Sequence, residues 1–431
     1  MGTNERIPGV EPHDRTESMT NMDEQINTGR GDISRRRFLR GAGVTLVLPH
    51  VVTASARGAE GRVAPGNRIT VGVIGCGCMG RGHVRRMANS AEAQVLAVCD
   101  VDRLRVERAK VTVDQSQGHE AARGCTTHND YRELLTRDDM DAVVIVTPDH
   151  WHSPMTIHAV KAGKDVYCEK PVSVTVEEGR QMVDAVQRYG RVFQNGSQYR
   201  TNPTIRRVCE FVRAGGLGRI KAVFTEWRSD PSDVYLAAEP TPKGLDWDRW
   251  VGPAPWRPYN SRYHRNPIPG VVPWSFCEDF GVAASTGYHS HAADVLQYAM
   301  GCEESGPVEL IHPNTGQYPT LTYRYADGIL FHLVRDWGEV KSLYRAVPAD
   351  ASIGGNFGGV IVGQRGWITT MSKREITGGP ESMLREMRGA DLPVTVPGGD
   401  HHGNWLHCIR TRTKPSSHEE IGHRAAALGH L

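Results

Sequence analysis

A chain of 431 residues is long enough for two or three domains with large cores, and its near-neutral balance, net +2 with 23% charged residues, excludes a basic nucleic-acid surface or an acidic tail. Nine cysteines lie singly, without C-x-x-C pairs or histidines at zinc-finger spacing, so neither a disulfide scaffold nor a zinc site is signalled. After the leader described next, no run reaches the roughly 18 apolar residues that a membrane span needs.

Residues 1–33 are polar and irregular, the composition of a disordered leader. Ser34-Arg35-Arg36-Arg37-Phe38-Leu39-Arg40 then precedes a short apolar run, 41–52, and Ala54-Ser55-Ala56, a small-x-small cleavage signature. This order predicts a twin-arginine signal read by the export machinery, a periplasmic or otherwise exported product, and a leader of residues 1–56 outside the fold.

Residues 68–74 read as a β-branched strand that runs into Gly75, Gly77 and Gly80, spaced G-x-G-x-x-G. In a dinucleotide-binding turn the first glycine makes the tight bend, the second lets backbone approach a pyrophosphate, and the third lets helix and strand pack closely. The helix that follows aims free N–H groups, including that of Met79, at the phosphates. An apolar strand at 93–100 ends in Asp100, about 20 residues past the last glycine, where a carboxylate accepts hydrogen bonds from the adenosine ribose and repels a 2′-phosphate. NAD is therefore expected rather than NADP.

Strand and helix continue to alternate. A helix over 103–113 and a short one at 131–135 capped by Asp130 lead to a continuous apolar strand, 141–148. Ser153-Pro154 predicts the next helix start, ended by Gly163. Strand 165–171, a helix opened by Thr175 and Glu178 and closed by Gly190, and strand 192–197 complete the series. The alternation predicts an α/β, doubly wound parallel sheet of the Rossmann type over 67–199, binding ligands at the carboxyl ends of its strands. Three such ends carry polar groups: Thr147, Pro148 and 149–152 after one strand, Glu169-Lys170 after the next, and 198–200 after the last. They are expected to converge on the nicotinamide, with Thr147, Pro148, His152 and Glu169 toward the cofactor and Trp151, His152, Tyr199 and Arg200 toward a substrate.

Beyond residue 200 a helix (203–213) is followed by strands at 219–228, 320–325, 328–336 and 359–370, predicting a second α/β domain, 200–431, around a large, mostly antiparallel open sheet. The Pro- and Trp-rich excursion 229–280 is too long for a passive connection.

Glu169-Lys170-Pro171, together with the glycine turn and the segment from Thr147 to His152, resembles the glucose-fructose oxidoreductase, inositol dehydrogenase and rhizopine-catabolism (Gfo/Idh/MocA) family. Residues 246–255 and 422–430 resemble its exported branch. The resemblance spans nearly all of 67–431. It implies that Lys170 lies beside the nicotinamide and the substrate hydroxyl as a base, a role favoured by the positive charge of the oxidised ring. It also implies that the second domain carries the substrate and the contacts of a homo-oligomer.

In the matching segment 286–294, His291 takes the place of the acid/base histidine, with Tyr288, His289 and Asp294 toward the substrate. Relatives carry an aspartate where this chain has Gly287, so His289, Glu278 or Asp279 must substitute, or the chemistry is altered. Asp400-His401-His402 lacks a third ligand at metal spacing, and no metal is expected. Family chains continue past the segment ending at His430, which implies a shortened second domain. The expected activity is NAD(H)-dependent oxidation or reduction of a sugar, glycoside or cyclitol hydroxyl. The alternatives are a redox-neutral hydrolase or lyase that uses NAD transiently, and a binding protein that holds NAD.

Overall fold

The computed structural model describes residues 65–117, 124–227, 230–264, 274–287, 289–348 and 357–431. The export signal and Tyr288 lie outside the described residues.

The first lobe is built on six parallel strands, β1 (Ile69–Ile74), β2 (Ala93–Cys99), β3 (Thr126–His128), β4 (Ala142–Ile145), β5 (Asp165–Cys168) and β6 (Phe193–Asn195), in the order β3-β2-β1-β4-β5-β6. Strands β4 and β5 are buried throughout, as their apolar runs predict for strands covered on both faces. Helices α1 (Cys78–Ala88) and α2 (Arg103–Gln117) cover one face, where Val84 and Val106 meet Val71 and Val95. Helices α3 (Tyr131–Leu135), α4 (His152–Lys161) and α5 (Val176–Tyr189) cover the other, where Met155 and Met182 meet Val143 and Ile145. Asp130 and Thr175 cap α3 and α5 as expected, each accepting a backbone N–H from the first turn. Ser153 does not cap α4: the helix begins one residue earlier, and the Ser153 hydroxyl donates to the Glu178 carbonyl at 2.9 Å, tying α4 to α5 instead.

After α6 (Pro203–Arg213), β7 (Ile220–Glu226) opens a seven-stranded sheet with β8 (Glu309–Ile311), β9 (Leu321–Arg324), β10 (Leu330–Val334), β11 (Gly359–Gly363), β12 (Trp367–Thr369) and β13 (Gly378–Gly379), ordered β13-β12-β11-β7-β10-β9-β8. Only β7 and β10 pair in parallel. One face buries Phe331 and Ile361 against α6 and a long helix described below, and the other buries Phe224 and Val360 under Trp337 and Val340. The excursion forms its own aromatic cluster through α7 (Trp247–Val251) and α8 (Ser261–His264), with Trp247 and Trp250 stacked at 4.6 Å against Tyr263 and Phe280.

Helices α9 (Ala283–Gly287) and α10 (His289–Met300) enter the second lobe. After α11 (Glu381–Gly389) the chain returns to the first lobe: on α12 (His401–Thr411), Trp405 and Leu406 join the core of Val71 and Val73, and α13 (Glu419–His430) packs between α5 and α10.

Candidate active site

A cleft of about 660 Å³ lies at the carboxyl ends of β1, β2, β4 and β5, lined from the glycine turn at one end to Lys170 and His291 at the other. Gly75 has φ +92°, open to glycine at low cost, and a Cβ there would overlap the Val146 carbonyl. A Cβ on Gly80 would overlap the Gly75 carbonyl, which is the close packing expected of the third glycine. Gly77 is the N-cap of α1, and no side chain caps that end, leaving its amides for a ligand. A Cβ on Gly77 would point at one group only, the Arg105 guanidinium, 3.4 Å away. Asp100 lies where β2 ends and accepts N–H groups from Cys76 at 2.7 Å and Asp102 at 2.9 Å, so the carboxylate fixes the turn that it borders. Burial raises its carboxyl above the usual range, with Arg105 opposing.

The other end of the cleft is made by loops from both lobes. Lys170 Nζ donates to the Gly287 carbonyl at 2.8 Å, and the Val282 N–H donates to Asp149 Oδ2 at 3.3 Å, so the segment 282–287 binds the ends of β4 and β5 together. Glu169 accepts from His83 Nε2 at 3.0 Å and Gln198 Nε2 at 2.8 Å. Burial works against its charge, but His83 and Lys170 outweigh it and hold the carboxyl far below the usual range. His83 in turn meets His402 Nε2 at 3.1 Å, and His402 stacks on Tyr167.

His291 lines the cleft from α10, buried against Tyr199 and Phe357. Burial, reinforced by Lys170, drops its basicity well below that of a free imidazole, so it stands neutral. His152 is buried with its ring nitrogens facing the carbonyls of Pro171 at 2.6 Å and Thr147 at 2.9 Å; it lines the cleft but its polar atoms clamp the two loops. Met79, Thr147, Pro148 and Trp151 also lie on the wall, Trp151 held by a hydrogen bond to the Trp250 carbonyl at 3.0 Å.

Several expected contacts lie elsewhere. Arg200 and Asp294 are an internal ion pair, 2.8 Å apart, both buried, extended to Glu303 and covered by Tyr298, so their charges are spent on holding the lobes and not on a substrate. His289 faces Trp227 and Phe331 in the second core, two positions from His291 and on another side of the helix. Tyr199 stands behind His291, beneath Lys373 Nζ at 3.9 Å from its ring, rather than on the wall. Of the groups proposed to replace the carboxylate absent at Gly287, Asp279 is ion-paired with Arg257 and Glu278 is exposed away from the cleft. Besides Glu169, which the sequence places toward the cofactor, the carboxyl that lines the reacting end is Asp149. Among the described residues no group of three potential ligands could hold a metal.

The cleft fits NAD on its own chemistry. The uncapped start of α1 and the open space at Gly77 suit a pyrophosphate, and the buried Thr147 hydroxyl oxygen has no hydrogen-bond partner within the protein. Two family models match this chain, one described as an oxidoreductase family NAD-binding Rossmann fold over residues 69–197, and one as the C-terminal alpha/beta domain of the same family over 222–368. An alpha-N-acetylgalactosaminidase of Shewanella oneidensis is 35% identical over 176 residues, and a glycosyl hydrolase family 109 protein of Shewanella sp. (strain MR-4) is 36% identical over 177. Each match covers 36% of this chain, and the chain spans only 38% of the length of these curated relatives. Among solved structures, the WlbA dehydrogenase from Bordetella pertussis in complex with NADH and UDP-GlcNAcA superposes with a TM-score of 0.54 at 19% identity, covering 84% of this chain and 94% of that one. A levoglucosan dehydrogenase in complex with NADH gives 0.53 at 18%, covering 84% and 95%. At these identities the likeness is one of fold.

Proposed function

The chain belongs to the Gfo/Idh/MocA oxidoreductase family, its two matched segments together making up well over half of it, and from that premise we propose that it is an NAD(H)-dependent oxidoreductase acting on a hydroxyl of a sugar, glycoside or cyclitol. The observation that carries this reading is the single cleft that joins the glycine turn to Lys170 and His291. NAD, when bound, supplies a hydride acceptor. Lys170, oriented by the Gly287 carbonyl, takes the hydroxyl proton, while neutral His291 accepts or donates a hydrogen bond at the carbinol oxygen. Trp151 and Trp250 shield this chemistry from water. The test is mass spectrometry of nucleotide released on denaturing the purified protein, followed by a screen of sugars and cyclitols for NADH absorbance. A protein that holds no nucleotide and reduces none would defeat the reading.

A second reading is favoured by the relatives named as a galactosaminidase and family 109 hydrolases: transient oxidation, elimination and re-reduction with no net redox change. Release of p-nitrophenol from p-nitrophenyl N-acetyl-galactosaminide without accumulation of NADH selects it, and either turnover rules out a protein that merely holds NAD. The basic and apolar pattern of residues 34–56 supports export of the folded chain to a compartment without free NAD. A carried cofactor, restored in each cycle, would suit that setting, and Trp250, Trp274 and Phe276 of the excursion, which line the cleft, would help to retain it. Changing Arg35 and Arg36 to lysine should strand the protein in the cytoplasm on fractionation, and purification of an exported but nucleotide-free protein would remove the carried-cofactor reading. We also propose a homo-oligomer that meets through the open sheet of the second lobe, to be checked by light scattering.

A further inference from the structure

We propose that Asp149 is the group that holds the substrate's proton while the cofactor is reduced, so that the cleft keeps its charge constant through the redox step. The inference rests on the NAD-dependent reading above. Five titratable side chains line the reacting end: Lys170, Glu169, Asp149, His152 and His291. Glu169 is committed to His83 and Gln198, and its remaining oxygen faces the Lys170 backbone N–H at 3.3 Å. His291 is buried neutral, and the neighbouring His150 and His152 have their ring nitrogens against backbone carbonyls. Asp149 differs. It is 5% exposed, opens on the cleft, and accepts one long backbone hydrogen bond, from Val282.

Burial lifts its carboxyl to about 7, with Lys170 and the Val282 N–H opposing and Glu169 assisting, so small changes of nearby charge suffice to move its proton. An oxidised nicotinamide brings one positive charge into an end that already holds Lys170, and Asp149 is the carboxyl able to answer it by ionising. During oxidation the carbinol C–H bond breaks and its electron pair leaves with hydrogen as hydride for the oxidised ring. As Lys170 takes the O–H proton it gives one of its own up toward Asp149, so that Lys170 keeps its charge, and the carbonyl product remains. Asp149 thus loses its negative charge in the same step in which a bound nicotinamide would lose its positive one. In the reverse step Asp149 returns the proton through Lys170, and no exchange with water is needed.

The test reads proton linkage and needs no substrate. Calorimetric titration of NAD+ and of NADH into nucleotide-free protein at pH 6, in two buffers of different ionisation enthalpy, should show nearly one proton released on binding NAD+ and none on binding NADH. The affinity for NAD+ should fall about tenfold per pH unit below the Asp149 transition, while that for NADH stays level. Asp149→Asn keeps an oxygen for the Val282 N–H, and should bind NADH normally while losing both the proton release and the pH dependence; Lys170→Met should keep them. Should the Asn variant fail to fold, infrared difference spectra of the native protein decide: a protonated carboxyl stretch present with NADH and absent with NAD+ supports the proposal, and its absence from both complexes overturns it. Proton release that persists in Asp149→Asn also overturns it. Native protein that binds neither nucleotide would instead defeat the NAD reading itself.

Discussion

Asp100 and Lys170 make separable demands on the cleft. A 2′-phosphate beside Asp100 meets like charge and a carboxylate already fixed by the Cys76 and Asp102 amides, so it cannot swing away. NAD should bind at least about tenfold more tightly than NADP, a difference of roughly 1.4 kcal/mol, and equal dissociation constants by fluorescence titration would contradict this. Lys170→Ala should leave NAD binding nearly intact and lower turnover by about 10²- to 10⁴-fold, the usual worth of a general base. An active alanine variant would remove Lys170 from the chemistry. Gly287 gives a third test, because a Cβ there meets nothing within 4 Å and the position faces the cleft. In an Asp149→Asn background, Gly287→Asp should restore part of the lost turnover by supplying a carboxylate near Lys170. Steady-state rates of the single and double variants measure the coupling, and purely additive losses would show that the two positions do not serve one role.

At the scale of elements, the return of α12 to the first lobe is the feature with the clearest energetic signature. Trp405 is fully buried beside Val71 and Val73, so Trp405→Ala should cost about 3–5 kcal/mol and lower the melting temperature, with NAD affinity falling in step. A marginal effect would mean that α12 rides on the surface of a self-sufficient lobe. Local sequence carried five of the six strands, all but the three-residue β3, and the caps at Asp130 and Thr175, because period and capping chemistry act over a few residues. It could not carry the return of α12 and α13, which depends on partners more than 100 positions away. Nor could it separate His289 from His291. The helix α10 is buried along nearly its whole length, so it has no polar stripe to mark the face that meets the cleft, and residues two apart point to different sides. The loop after β4 was legible as polar, but which of its four residues opens on the cleft is decided by the 3₁₀ turn at Asp149–Trp151. Arg200 and Asp294, expected toward a substrate, are each other's partners, a pairing that no spacing along the chain discloses.

Across the whole molecule, an unusual number of imidazoles are buried in the neutral form. Burial lowers His150, His332, His401, His423 and His430 to about 4, and His289 and His402 to about 3. In an unfolded chain each would titrate near 6.5. The unfolded state therefore binds more protons than the folded one between roughly pH 6.5 and pH 4, and stability must fall as the pH falls through that window. Each full pK unit of difference is worth about 1.4 kcal/mol, so a few such residues rival the whole stability of an ordinary domain, about 5–15 kcal/mol. Glu169 acts in the same direction below the range of a free carboxyl, since its folded form is held ionised. Asp149 acts oppositely, its folded carboxyl being raised to about 7, and the raised carboxyls of Asp100, Asp294 and Glu178 join it, but the lowered imidazoles outnumber these four. The melting temperature should thus be highest near neutrality and drop steeply between pH 6.5 and 5, well before carboxylates in general begin to protonate. Scanning calorimetry at half-unit steps measures this, and His332→Gln should flatten the slope, because His332 lies in the second sheet, far from the cleft, bonded to Thr322 and Tyr344 by contacts that an amide can imitate in part. A melting temperature constant from pH 7.5 to 5 would show that these imidazoles accept protons in the folded state and that the cores around them open to water.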